Sequence, residues 1–166
     1  MRAPVAPRTL LLGVAAVCGL SVGLALLAQH RLDMQTCSWC ILQRLLFVLI
    51  TVVALLGALV PAAVQRLSAV TAAVLIDIAA GLGATAALYQ HLVASKSASC
   101  VQTLADKVIG GLGLDRALPD VFEVRATCAD GAVSVLGVPF ELWSLLLFVL
   151  AGLTAGVTLI IALRQR

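Results

Sequence analysis

The chain has 166 residues, 62% of them apolar and 11% charged, against about 45–50% and about 25% in ordinary soluble domains. With a mean hydropathy of +1.13, it is excluded from the water-soluble monomers. The net charge of +3 comes from basic residues scattered without aromatic interleaving, which excludes a nucleic-acid surface.

Four apolar stretches are each long enough to cross about 30 Å of hydrocarbon, which takes roughly 20 helical residues. The first, Thr9 to Ala28, follows Arg2 and Arg8 in the manner of a signal peptide. It is long for such a segment and no small-x-small cleavage site follows, so it reads as a retained span. A loop over 29–40 ends in Cys37-Ser38-Trp39-Cys40. The second span, Ile41 to Val60, and the third, Leu67 to Val93, are separated only by Pro61 to Arg66, which forces an antiparallel helix pair. A long polar loop over 94–139 precedes the fourth span, Phe140 to Leu163. The expected fold is all-α: one integral membrane domain over 1–166, a four-transmembrane-helix bundle with a long outer loop containing a short interfacial helix.

Cytoplasmic segments retain Lys and Arg during insertion. The N-terminal tail, the short hairpin and the C-terminal tail hold Arg2, Arg8, Arg66, Arg164 and Arg166 without an acidic residue. Both termini are therefore expected in the cytoplasm. The other face mixes Arg31, Lys96, Lys107, Arg116 and Arg125 with Asp33, Asp106, Asp115, Asp120, Glu123, Asp130 and Glu141. Cys37, Cys40, Cys100 and Cys128 then lie outside, in a bacterium the periplasm, where disulfides persist.

Cys37 falls near the first turn of the second helix, where unpaired N–H groups and the positive dipole end favour a thiolate. Cys37, Cys40 and Arg44 stand at i, i+3 and i+7, so one helix face carries both sulfurs and a guanidinium below them. Arg44 could stabilise a thiolate, bind a carbonyl ligand, or only snorkel to the interface. Cys100 and Cys128 share the long loop. After Cys100, Val101, Leu104, Val108 and Leu112 recur at helical spacing, as in a short amphipathic helix on the membrane surface, broken by Gly110, Gly111 and Gly113. This second pair is either a structural staple or an exchange partner for the first. Zinc fits poorly, because only Cys37 and Cys40 have the compact spacing of a zinc knuckle and an oxidising compartment opposes four free thiolates.

Together the run Cys37-Ser38-Trp39-Cys40-Ile41-Leu42-Gln43-Arg44, the Tyr89-Gln90-His91 ending the third span, and the Cys100 to Cys128 loop followed by Gly137-Val138-Pro139 resemble the DsbB family of bacterial disulfide bond formation proteins. The resemblance covers nearly the whole chain and lies in the combination of helix count, loop lengths and cysteine order.

It implies a thiol:quinone oxidoreductase of the inner membrane, whose partners are a periplasmic thioredoxin-fold dithiol oxidase of the DsbA type and the membrane quinone pool, ubiquinone or menaquinone. The partner would attack Cys100, with Cys128 completing that pair. Cys37, expected to be the more exposed of its pair, would link transiently to Cys128, and Cys40 would end beside the quinone. Arg44 would polarise a quinone carbonyl, with His91 as a second contact.

A DsbA-type oxidase has a potential near about −120 mV, and each 30 mV of shortfall costs about 1.4 kcal/mol, so a stronger acceptor than a cysteine pair is required. Neither a GxGxxG after a strand nor a sizeable extramembrane domain is present, so flavin is not expected; nor is a metal. Vitamin K epoxide reductase-like enzymes are the nearest rival, but their loop cysteines precede the C-x-x-C, whereas here Cys37 and Cys40 come first. A scaffold with static disulfides is the non-enzymatic rival.

Tyr89, Trp39 and Trp143 read as an interfacial aromatic belt, and Cys18, mid-span, as a small apolar filler. Asp77, near the middle of the third span, departs from the family pattern. It is expected either to be protonated and hydrogen-bonded to a neighbouring helix or to assist proton movement.

Overall fold

The computed structural model describes residues 6–32, 34, 36–96, 103–127 and 134–164. Cys100 and Cys128, and with them the expected second redox pair, lie outside the described residues.

Four helices are long and apolar enough to span a membrane: α1 (Pro7–Arg31), α2 (Ser38–Leu59), α3 (Gln65–Leu92) and α7 (Phe140–Arg164). Pro7 opens α1 at a position where its missing N–H costs nothing. Between α3 and α7 come three short helices, α4 (Leu104–Gly111), α5 (Leu114–Ala117) and α6 (Pro119–Phe122). The all-α reading acquires one addition, a ribbon of β1 (Ser134–Val135) against β2 (Val138–Pro139), antiparallel with Ser134 opposite Pro139. Its turn takes Leu136 and Gly137 to φ of 55° and 78°, the paired left-handed geometry that suits the twist of a two-residue hairpin.

The long helices close a ring in which α1 packs on α2, α2 on α3, α3 on α7 and α7 on α1, the α3–α7 contact being the most extensive. Lipid tails are as apolar as leucine, so membrane helices associate through close packing rather than through exclusion of water. The sequence supplies small residues for it. On α3, Ala69, Ala72, Ala73, Ala79, Ala80 and Ala87 are buried, while Leu20, Leu56, Leu67 and Leu153 point outward. A Cβ added at Gly57 would stand 2.6 Å from Ala72 Cβ, and one at Gly83 would overlap the ring of Phe148. Phe148 in turn stacks on Phe47 with centroids 4.0 Å apart and planes 4° from parallel. Cys18, 1% exposed, fills this same core.

At the hairpin end the orphan helix carbonyls find donors. Gln65 Nε2 and Ser68 Oγ donate to Gly57 O at 3.0 and 3.3 Å, and Arg66 Nε donates to Ala162 O at 3.2 Å. Asp77 behaves otherwise. It makes no hydrogen bond among the described residues, and its Oδ1 lies 3.7 Å from where a Cβ on Gly152 would be, so the expected bond to a neighbouring helix is absent.

The helix expected after Cys100 forms as α4, started by a capping box in which Thr103 N donates to Asp106 Oδ2 at 2.7 Å and Asp106 N to Thr103 Oγ1 at 3.3 Å. Its protein-facing side is a second stripe, distinct from the one expected to lie on the membrane surface. Ala105 and Ile109 are buried, whereas Leu104 and Leu112 are exposed. The short Ala105 lets α4 come down onto the start of α2.

Candidate active site

Cys37 is the N-cap of α2. Its extended backbone (φ −87°, ψ 163°) turns its Sγ back to accept the Cys40 N–H at 3.4 Å. The two sulfurs are 2.8 Å apart, so joining them at the disulfide distance of about 2.05 Å needs only side-chain adjustment. A sulfur in this place meets unpaired backbone donors and the positive end of the helix, which favour the anion.

The expected order of exposure within the pair is reversed. Cys37 has 0% exposure and Cys40 is half-buried. Ala105 of α4, Ala94, Ala86 and Trp39 close around Cys37, a cover that the loop completes with Ala105 as it folds back over the helix start.

Both arms of that loop are tied beside Cys37. Thr103, three positions after Cys100 in sequence, has its Oγ1 3.3 Å from Ser38 Oγ. Arg125 N and Ala126 N, the latter two positions before Cys128, donate to Thr36 O at 3.0 and 3.2 Å, and Thr36 Oγ1 donates to Glu123 O at 3.2 Å. The described flanks of the two loop cysteines thus converge on the start of α2.

Cys40 faces the other way, into a cavity of about 360 Å³ between α1, α2 and α7, lined mainly by apolar groups including Val22, Ala25, Phe47, Phe140, Trp143 and Leu147. Arg44, one helical turn below Cys40, lines it too. Arg44 does not snorkel: it is 5% exposed, and its Nη1 donates to Gln29 Oε1 at 2.9 Å and to Val121 O. Gln29 is itself held by donating from Nε2 to Asp120 O at 3.2 Å. The guanidinium is therefore locked in place, yet its Nε is buried without an acceptor among the described residues. An orphaned donor of this kind costs about 1–3 kcal/mol unless something accepts from it.

His91 is not among the residues lining this cavity. Its Nδ1 pairs instead with Glu141 Oε1 at 2.9 Å, and this carboxylate holds the ring away from the expected ligand contact. The aromatic belt is also redistributed. Trp39 is buried against Tyr89 with centroids 4.8 Å apart, and Trp143 lines the cavity while its Nε1 donates to Val135 O at 3.3 Å.

The sequence gives no role to Gln29, Gln43 or Gln90, although the last two stand inside the runs that carry the family resemblance. All three are 3% exposed, and they form the polar lining behind the two reactive groups. Gln90 Nε2 donates to Cys40 Sγ at 3.2 Å, and Gln43 Nε2 donates to Gln90 Oε1 at 2.7 Å. The available signal was an uncharged amide inside or at the mouth of an apolar span, where a polar group needs a partner. Among the described residues no group of three or more His, Cys, Asp or Glu could hold a metal ion.

The family model for disulfide bond formation protein DsbB matches residues 7–158. The chain is 36% identical over 155 residues to disulfide bond formation protein B of Ralstonia nicotianae, covering 92% of this chain and 94% of that one. Its counterpart in Polaromonas naphthalenivorans is 34% identical over 165 residues, 97% of this chain and 96% of the relative. That of Burkholderia pseudomallei is 33% identical over 153 residues, 92% and 89%.

Proposed function

Because the chain belongs to the DsbB family of disulfide bond formation proteins, we propose that it is a thiol:quinone oxidoreductase of the bacterial inner membrane that reoxidises a periplasmic DsbA-like dithiol oxidase. One observation carries the reading: Cys40 and Arg44 line one apolar cavity, and the guanidinium is held beside it by Gln29 and the Val121 carbonyl.

A thiolate of the reduced partner attacks a Cys100–Cys128 disulfide at Cys100, and its second thiolate then displaces Cys100, so that the partner leaves oxidised. Cys128 next attacks Cys37 of a Cys37–Cys40 disulfide, releasing Cys40 as a thiolate, and Cys100 then displaces Cys37 from Cys128, so that the loop pair is oxidised again and the two electrons rest on Cys37 and Cys40. The convergence of both loop arms at Thr36 and Ser38 supports this exchange, and the burial of Cys37 makes it depend on movement of the α4 cover. A bound quinone supplies a lipid-soluble acceptor that takes up two electrons and two protons. Arg44 would present its guanidinium to one of the quinone carbonyls, while Phe47, Trp143 and Leu147 would keep water from the ring, in a cavity whose size lies within the range of about 300–1,000 Å³ usual for small-molecule sites. His91 acts one step back, joining the outer ends of α3 and α7 through Glu141. Arg8, Arg66 and Arg164, away from the cysteines, support cytoplasmic termini and periplasmic cysteine loops.

The test supplies purified protein in detergent with a reduced thioredoxin-fold oxidase and a quinone, follows quinone absorbance, and traps thiols with an alkylating mass tag. Quinone bleaching is expected, with Cys37, Cys40, Cys100 and Cys128 gaining the tag after partner is added and losing it when quinone is restored. Cysteines that never change state, or labelling of Cys37 from the cytosolic side in cells, would overturn the proposal.

A further inference from the structure

Behind Cys40, on the side away from the cavity, an amide of α3 reaches the reactive sulfur. Gln90 Nε2 lies 3.2 Å from Cys40 Sγ. An amide side chain is ambivalent, since one end donates and the other accepts, and which end meets the sulfur is decided by whatever holds the opposite end. Here that is Gln43, whose Nε2 occupies Gln90 Oε1 at 2.7 Å. Both amides are 3% exposed, so water does not compete for them, and Gln43 also lines the cavity.

We infer that Gln90 is a catalytic hydrogen-bond donor to the Cys40 sulfur, and that Gln43 is the positioning residue that fixes which end of the Gln90 amide faces it. This deepens the proposed thiol:quinone reading and rests on it, because it gives the cavity-facing sulfur a stabilised anionic form. A donor bonded to a charged atom is among the stronger hydrogen bonds, and the thiolate is the form that reacts. The lock has a direction. Were the Gln90 amide turned over, a carbonyl oxygen would face the sulfur, favouring the protonated thiol.

The experiment uses the full-length reduced protein in detergent, without any acceptor, and measures the rate at which iodoacetamide alkylates Cys40, by mass spectrometry across a pH series. Among the described residues, the charged and titratable groups at this end of the bundle include Cys37 and Arg44 on α2, His30 and Arg31 at the end of α1, His91 paired with Glu141 from α3 and α7, Lys96 just after α3, Asp106 in the cap of α4, and Asp120, Glu123 and Arg125 in the returning arm of the loop. All are retained in every variant.

Gln90→Leu is expected to move the Cys40 profile upward by about one pH unit and to slow alkylation at neutral pH about tenfold. Gln43→Glu is the sharper test. It is nearly isosteric, but its carboxylate can only accept, so it draws the Gln90 NH2 toward itself and turns the carbonyl to the sulfur, with a slowing at least as large. Gln43→Leu frees the amide without adding charge and should slow the reaction by about threefold, less than Gln90→Leu. Should Gln90→Leu fail to fold, Gln90→Glu replaces the donor at nearly constant shape and should also move the profile upward. Unchanged Cys40 profiles in folded Gln90→Leu (or Gln90→Glu) and Gln43→Glu would overturn the inference. Failure of the parent reading looks different: the profiles shift as expected in a protein that never bleaches a quinone.

Discussion

The two ends of the bundle are built from opposite materials. Toward the hairpin, α2, α3 and α7 meet through alanines and Gly57, and side chains are spent on capping backbone carbonyls. At the cysteine end these helices and α1 bury Gln29, Gln43, Arg44, Gln90 and Glu141, groups that weaken a core unless each finds a partner. Close packing alone would make the bundle. The polar end holds a sulfur and a guanidinium at fixed positions beside a cavity, and stability is the natural measure of the first end, chemistry of the second.

That division can be broken by substitution at either end. Gly57→Leu should have the largest effect, because its Cβ would stand 2.6 Å from Ala72 Cβ and α2 and α3 must part, a loss of about 3 kcal/mol in stability, read as a lowered midpoint of thermal unfolding in detergent. Gly57 is not on the cavity wall, so the apparent KM for quinone of the molecules that remain folded should not change; a large rise would show that the ends are not separable. Arg44→Ala should do the reverse. It removes the donor to Gln29 and Val121 together with the free Nε, and about 2–3 kcal/mol, roughly a hundredfold, should be lost from kcat/KM for quinone, mostly through KM. Arg44→Lys keeps the charge without the planar fork and should recover only part of the loss. Unaltered quinone dependence in both variants would remove Arg44 from the site.

The sequence made the two ends unequally legible. Length and hydropathy alone locate the four spans, because nothing else explains such apolar runs in so short a chain. Cys37, Cys40 and Arg44 are equally plain, being fixed relative to one another by a single helix. Gln29 and Gln90 are not, since they arrive from α1 and α3 and only the rotation of each helix decides whether an amide points inward. The protein-facing side of α4 is hard to read for a different reason. Leu104, Val108 and Leu112 and the pair Ala105 and Ile109 both have i, i+4 spacing. At a membrane boundary protein and lipid are both apolar, so periodicity finds two stripes without saying which one meets the protein. The burial of Cys37 was hidden with it, because Ala105 is part of its cover.

Thr103 gives the smallest and most local test of that cover. Its hydroxyl caps α4 within the reciprocal box with Asp106 and also meets Ser38 Oγ at 3.3 Å, so Thr103→Ala weakens both the helix start and its attachment beside Cys37. Loss of such a cap costs about 1 kcal/mol. In a helix of 8 residues, too short to persist without packing, that cost falls on docking rather than on the bundle. The expected result is an unchanged unfolding midpoint with about fivefold faster alkylation of Cys37 in the reduced protein. Cys40, which opens into the cavity on the other side of α2, should react at its former rate. Equal acceleration of both cysteines would mean that the helix start itself had loosened, and the burial of Cys37 would then belong to the bundle rather than to the loop folded over it.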